Sequence, residues 1–512
     1  MWLSKYIFMD KKFYITTPIY YVNMNPHLGT AYPTVAADVL ARHHRAKGEQ
    51  VFFLTGTDEH GAKIVEAATK NRKTPKEFVD EIAAKYQLLW DELQISNDNF
   101  IRTTDPQHEK IAAAIAQRLY DKGFIYKGTY SGLYCVGCER YYTEKELVDG
   151  KCPYHQTAPT QLSEDCYFFK LSGFQEPLMK LIDQGDWVIE PKERRNEVLG
   201  FLKTEKLEDL AISRVRAKMN WGITLPWDKN QVLYVWVDAL LNYLTGLKWD
   251  GDFNKLSELW PPDAQLLGKD ILRFHAVIWP AMLLALEIPL PKKLFITGFF
   301  TINGQKMSKS LGNVIDPNEV IRIFGSDAAR YLLLSLFPFG QDGDVSMEKF
   351  YDKYSANLAS GLGNLVSRVI TLALKQETIY EFSENNEFRV KITATWATYE
   401  KAMDNLAFEQ ALIAIQDLAS FCDKYIEINK PWQLVKTNLD LFKKVMYNLL
   451  ESLRHLAWLT SPFMPEISEK ILAALGLFTE NKKDLSLVKD WGAVNHYQVK
   501  SVKPLFPRLT RD

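Results

Sequence analysis

Cysteine is scarce, five in 512 residues with three of them clustered, which excludes a disulfide framework and points to a reducing compartment and metal binding. Long apolar runs are missing as well. The longest, Val277 to Leu290, is interrupted by Glu287 and falls short of the ~20 residues that cross a bilayer, so neither a transmembrane helix nor a membrane partner is expected. The start, MWLSKYIF, has one Lys, a short apolar stretch and no small-residue cleavage site; it is not read as a signal peptide, and the expected address is the cytoplasm. Excess charge is absent too: 62 Lys plus Arg stand against 63 Asp plus Glu, which leaves any contact with nucleic acid to local basic patches. Neither GxxxxGK[ST] nor GxGxxG occurs near the predicted strands, so the two common glycine-rich phosphate grips are excluded.

What is present is an ordinary globular composition, 47% hydrophobic and 24% charged, on a chain long enough for roughly three or four domains. Phe13 to Ile19 alternates like a strand, and the segment from His27 reads as a helix stopped by Gly48. Similar strand-to-helix steps follow at Val51 to Thr55, Leu233 to Val237 and Gln265 to Leu267, and a last strand, Lys293 to Thr301, runs into KMSKS. Strands alternating with helices argue an α/β fold, a Rossmann-like doubly wound parallel sheet. Its first half is expected over 1–125 and its second over 228–300, divided by an insertion at 126–227 that breaks the rhythm with cysteines and short mixed strands. A loop region spans 301–350, and amphipathic patterns over 351–512 predict an all-α bundle.

The pairs Cys135-x-x-Cys138 and Cys152-x-x-His155 have knuckle spacing, and three thiolates with one imidazole suit tetrahedral zinc. Four filled positions leave no place for a reactive water, so one structural zinc per chain is expected. His27 and Gly29 lie between a strand and a helix start, where free N–H groups and the helix dipole favour an anion. Taken alone, PHLG reads more readily as a turn. Lys306 and Lys309 of KMSKS follow the last strand of the sheet, at the edge where doubly wound folds bind ligands, and could close over a triphosphate.

A His-x-Gly segment after the first strand, KMSKS after the last and an insertion between the halves resemble a class I aminoacyl-tRNA synthetase. TTPIYYVNMNPHLG, GTDEHG, YVWVDAL, GKDILRFH with WPAML, and CxxC with CPxH resemble, within that class, the methionyl-tRNA synthetases, from about Phe13 to the final LFP. The resemblance implies ATP-dependent activation of L-methionine to methionyl-adenylate and its transfer to tRNA(Met), initiator included, with Mg²⁺ brought by ATP and a monomer as the default assembly. It implies that Asp58 holds the ammonium of methionine. The thioether pocket it implies is Ile19, Tyr21, Trp236, Ala239, Leu240, Tyr243, His275 and Ile278, with Asp270 nearby and Tyr21 and His275 offering sulfur a weak polar contact. Without it, Trp236 and Tyr243 would be ordinary core aromatics. Asp270 also has the composition of a helix cap, and Arg214 aligns with an arginine near the reacting groups. His27, Lys306 and Lys309 become the catalytic charges.

Thr30 stands where the family pattern H-x-G-H has its second histidine, and its hydroxyl is expected to donate to a ribose or phosphate oxygen of ATP. Asn364, Arg368 and Trp432 are implied as readers of the CAU anticodon; the first two share a helix face, and the ring suits base stacking. Other class I synthetases, a nucleic-acid-binding protein with a zinc knuckle, and a small nucleotidyltransferase are the competing readings. The short insertion, the aromatic pocket and the C-terminal bundle argue against each in turn.

Overall fold

Apolar residues on both faces of a strand require cover above and below it, and that requirement shapes the centre of the molecule. Six strands form one parallel sheet: β1 (Lys12–Tyr21), β2 (Gln50–Asp58), β3 (Asn99–Arg102), β4 (Val188–Glu190), β5 (Ala264–Gly268) and β6 (Lys293–Thr297), in the order β3-β2-β1-β5-β6-β4. The computed structural model describes residues 11–510 apart from 139, 143, 254, 303, 307–314, 377, 478–484 and 486–487. One face carries α1 (Leu28–Ala46), α2 (Ala62–Lys70) and α3 (Pro75–Glu92), whose Val35, Val39, Ile64 and Ile82 pack in one core with Ile15 and Phe53. The other carries α4 (Pro106–Asp121), α5 (Val235–Leu240) and α6 (Trp279–Leu286), whose Ile115, Leu240 and Met282 share a second core with Tyr14 and Leu54. Consecutive residues 14 and 15, and 53 and 54, thus enter opposite cores, as a period of two demands.

Three features differ from the sequence expectation. Leu233 to Val237 is not a strand of the main sheet: Asp228–Leu233 pairs antiparallel with Ser213–Val215, and the chain then turns into α5. A short apolar run fits helix or strand equally, and helical spacing here sets Trp236, Ala239 and Leu240 on one side. The last strand stops at Thr297, and the next residue, Gly298, lies so close to Gln341 that an added Cβ would sit 2.0 Å from its carbonyl oxygen. Phe300–Ile302 instead pairs with Gln305–Lys306 and Gly343–Asp344 in a small sheet of its own. The segment 126–227 also returns β4 to the edge of the main sheet beside β6, and three residues are too few for any periodicity to reveal.

The rest of that segment is built on one long antiparallel pair, Ile125–Cys135 with Thr160–Phe169. Beyond residue 350 helices dominate: α8 (Gly363–Ala373), α9 (Asn386–Asp404), α10 (Phe408–Asn429), α11 (Pro431–Thr437), α12 (Leu439–Thr460) and α13 (Pro465–Ala474), with one two-residue ribbon between Tyr380–Glu381 and His496–Tyr497. The bundle is joined to the sheet through α7 (Ser326–Ser335). Its Arg330, fully buried, lies 2.7 Å from Asp38 of α1 and donates to the carbonyls of Leu93, Pro462 and Phe463. No helix among the described residues is long and apolar enough to cross a membrane.

Candidate active site and metal centre

The strand order reverses between β1 and β5, and in such sheets ligands bind outside the C-terminal strand ends at that crossover. A cleft of about 1030 Å³ opens there. It is lined from β1 by Ile19 and Tyr21, from the end of β2 by Asp58, from α5 by Trp236, Ala239 and Leu240, and by Tyr243, Asp270 and His275. His27, Gly29 and Thr30 line the same cleft. Of the expected thioether pocket, only Ile278 lies outside the lining; it is buried in the core behind it.

His27 caps α1 through its side chain. Its Nδ1 accepts the Gly29 N–H at 3.1 Å, and an added Cβ at Gly29 would come within 2.9 Å of the ring, so glycine gives the imidazole its place. Thr30 completes the cap: its hydroxyl accepts the His27 N–H at 3.1 Å and donates to the His27 carbonyl at 2.8 Å. The one proton of this hydroxyl lies on the His27 carbonyl, so Thr30, itself in the cleft lining, orients His27 from within the cap. Of KMSKS, the backbone of Lys306 ends the short strand Gln305–Lys306, whereas Lys309 lies outside the described residues.

The side-chain pocket is floored by rings. Trp236 stacks on Phe274 with centroids 3.7 Å apart and planes 9° from parallel. His275 Nδ1 lies 3.1 Å from the Ile271 carbonyl, which can only accept, so the proton sits on Nδ1 and Nε2 accepts from the Tyr243 hydroxyl at 2.8 Å. Both imidazole nitrogens are thus hydrogen-bonded, and His275 orients the Tyr243 hydroxyl at the cleft wall. Burial pushes this imidazole down to about 4 and raises the Tyr243 phenol, so both are neutral near pH 7. Asp270 is exposed and does not cap its turn, Lys269–Ile271; Gly268 occupies the cap position. Arg214 does not line the cleft. It is buried in the insertion, its guanidinium 4.5 Å from the Tyr234 ring centroid and donating to the Ala211 and Ser213 carbonyls.

The sequence reading named Asp58 of GTDEHG and gave its neighbours no role. Glu59, fully buried, takes both arms of Arg102 at 2.7 and 2.9 Å, and the Trp221 indole N–H donates to its carbonyl at 2.6 Å. His60 Nδ1 lies 2.7 Å from Asp238 of α5, whose other oxygen lies 2.7 Å from His108 Nε2. Burial alone would neutralise both members of the His60–Asp238 pair, but their attraction overrides it, raising His60 to about 10 and lowering Asp238 to about 2. The one available signal was a lone carboxylate inside the apolar run VWVDALL.

Beside the cleft, Cys135, Cys138, Cys152 and His155 bring their ligand atoms within 4.8 Å of one another. Cys138 Sγ lies 3.4 Å from Cys152 Sγ and 3.3 Å from His155 Nδ1, and Cys152 Sγ lies 3.7 Å from that nitrogen. Tetrahedral zinc with ordinary bond lengths sets such atoms roughly 3.5–3.8 Å apart, so the donor set fits the ion in both chemistry and spacing. Gly137 is needed for this closure, since a Cβ there would sit 2.5 Å from the His155 ring. Tyr142 brings its hydroxyl within 2.8 Å of Cys138 Sγ. Cys138, Tyr142, Tyr154 and His155 also line the cleft, so this knuckle forms one of its walls. The remaining expected residues lie elsewhere, in the bundle. Asn364 is exposed on α8, and the Arg368 guanidinium lies 5.4 Å from the half-buried Trp432 ring of α11 and 2.6 Å from Glu427.

Comparison with known proteins agrees with this geometry. The family model for class I tRNA synthetases (M) matches residues 13–166 and 155–370, and that for the anticodon-binding domain of tRNA ligases matches 385–502. The chain is 44% identical to the methionine–tRNA ligase of Caldanaerobacter subterraneus over 98% of its own length and 79% of that relative's. It is 41% identical to the methionine–tRNA ligase of Streptomyces coelicolor over 98% and 97%. Among solved structures it resembles Mycobacterium tuberculosis methionyl-tRNA synthetase in complex with methionyl-adenylate, with a TM-score of 0.91 and 37% identity over 97% of this chain and 100% of that one. The free form of that synthetase matches with a TM-score of 0.83 and 34% identity, over 98% and 99%.

The depressed His275 pKa carries a pH signature. The folded value of about 4 lies below the unfolded value of about 6.5, so the unfolded chain takes up its proton first and the fold loses stability as pH falls from 6.5 towards 4. In histidine-selective ¹⁵N NMR, with the signal assigned by its loss in His275→Asn, the ring should remain the neutral Nδ1–H tautomer at pH 5.5. A midpoint near 6.5 would contradict the assignment.

Proposed function

The chain belongs to the methionine–tRNA ligase family of class I synthetases, and from that premise we propose that the cleft at the β1–β5 crossover joins methionine to the α-phosphate of ATP. The observation that carries this reading is the convergence of an anion-facing helix start, a buried carboxylate and an aromatic pocket on one cleft, from four distant stretches of chain. Asp58 takes the ammonium. A thioether is apolar and polarizable, and Trp236, Tyr243 and the neutral His275 supply such surroundings. Neutrality at His275 matters because an imidazolium would need hydration that this pocket does not provide.

The reaction asks for no nucleophile or base from the protein. The carboxylate of methionine attacks the α-phosphorus in line, the bond to the β-phosphate oxygen breaks, and pyrophosphate leaves. A terminal ribose hydroxyl of the tRNA then attacks the acyl carbonyl and AMP departs. Catalysis is positioning plus electrostatics. His27, oriented by Gly29 and Thr30, faces the phosphates from the start of α1, and Lys306 and Lys309 of KMSKS supply further positive charge. Mg²⁺ accompanying ATP supplies further charge neutralisation. The domain roles follow the expected division, with 351–512 binding the anticodon through Asn364, Arg368 and Trp432. Cys135, Cys138, Cys152 and His155 hold a structural zinc, and the reduced thiols suit a cytoplasmic address.

In ATP–pyrophosphate exchange, the protein should depend on methionine, and Asp58→Asn should raise KM for methionine by about 2–4 kcal/mol, roughly 30-fold or more, because the ammonium loses a buried charged partner. Exchange without methionine dependence would overturn the reading. Trp432→Ala should depress aminoacylation roughly 10-fold or more, as loss of one stacked base implies, and leave exchange within about twofold; equal loss of both would mark the ring as packing alone. Metal analysis should find one zinc per chain. Its removal should lower the thermal midpoint of the insertion, since a closed site contributes folding energy; an unchanged midpoint would argue against a structural ion.

A further inference from the structure

Three of the four residues Thr57-Asp58-Glu59-His60 are tied away from the cleft. Thr57 donates to Glu59 at 2.7 Å, Glu59 is gripped by Arg102, Thr104 and the Trp221 N–H, and Arg102 reaches on to Asp80 at 2.6 Å. His60 is tied to Asp238, and the Glu59 N–H donates to Thr103 at 2.9 Å. Only Asp58 lines the cleft. Asp238 meanwhile sits on α5 between residues that do line it, Trp236 on one side and Ala239 and Leu240 on the other, and is itself 1% exposed. Its second oxygen meets His108, whose Nδ1 lies 2.7 Å from Thr245 Oγ1 just beyond α5. His60 Nε2 lies 3.5 Å from Glu109 of α4.

A carboxylate and two imidazoles inside an apolar helix contact cost several kcal/mol in desolvation, and an apolar side chain would fill that space more cheaply. What the polar version adds is direction. A carboxylate with one hydrogen bond on each oxygen fixes two rings in angle as well as distance, and one of those rings is two residues from Asp58.

We propose that Asp238 is a positioning residue for amino-acid binding: through His60 it holds the Asp58 segment at a set distance from α5, so that the ammonium site and the side-chain pocket match the length of one substrate. The inference rests on the reading of Asp58 as the ammonium partner. Neither Asp238 nor His60 touches substrate in this arrangement, and both act through Asp58 and Trp236. Weakening the tie lets the two halves of the amino-acid site drift while the His27 side of the cleft stays in place.

The test is steady-state exchange kinetics of the full chain with Asp238→Asn and His60→Gln, each near-isosteric, and with the double variant. Each single change should raise KM for methionine about tenfold or more, on the scale that small misplacements cost, and leave KM for ATP within about twofold. The double variant should be no worse than the worse single one, because both break one link. L-Methioninol, which keeps the ammonium and thioether but has no carboxylate to react, should weaken as an inhibitor in parallel. Unchanged KM for methionine, or parallel loss for methionine and ATP, would overturn the proposal even where melting temperature falls. If Asp238→Asn does not fold, His60→Gln alone decides by the same criteria. Failure of the wild type to depend on methionine would instead overturn the assignment of the site.

Discussion

A guanidinium with no route to solvent holds the molecule together. Arg330 is fully buried, and its partners come from three places: Asp38 on the helix that begins at His27, the carbonyl of Leu93 after α3, and the carbonyls of Pro462 and Phe463 before α13 of the bundle. A charge in that position is tolerable only while every one of these acceptors is present, because the desolvation cost of an unpaired ion is several kcal/mol. Asp38 is fixed in turn by Arg42 at 2.7 Å and by the N–H and hydroxyl of Ser96, both at 2.6 Å. The sheet and the bundle therefore meet at a hydrogen-bonded hub as well as across an apolar seam, and the helix presenting His27 to the cleft is one of its spokes.

The same economy recurs around the cleft. Groups that line the cleft are held in place by their neighbours: His27 by Gly29 and Thr30, Tyr243 by His275 and by its carbonyl's bond to the Tyr14 hydroxyl at 2.8 Å, Asp58 by the ties on Glu59 and His60. Catalysis by electrostatics depends on such preorganisation, since dipoles that must first reorient lose in reorganisation what they gain in attraction. The metal knuckle extends the arrangement, because Cys138 and His155 are at once members of the four-residue cluster and part of the cleft wall. A structural ion there would stiffen one wall of the cleft.

Much of this was legible in the chain. The parallel sheet follows from alternating strands and helices, the cluster from cysteine and histidine spacing, and the helix start at His27 from its place between strand and amphipathic run. The motifs resembling a known family led to residues that converge on one cleft. What failed did so for physical reasons. Leu233 to Val237 has no periodicity that separates strand from helix, and β4 has three residues.

Local order and chemical type were thus written in the sequence: which segments are apolar on both faces, where a helix begins, which side chains can bind a soft metal or carry charge. Those properties depend on neighbours a few residues apart, and a linear reading captures them. Tertiary structure alone decided who faces whom. That Asp238 meets His60 across 178 positions, that Arg330 meets Phe463 across 133, and that His275 meets the Tyr243 hydroxyl are outcomes of packing. Buried polar groups must find partners wherever the fold brings them, and distance along the chain places almost no constraint on that choice.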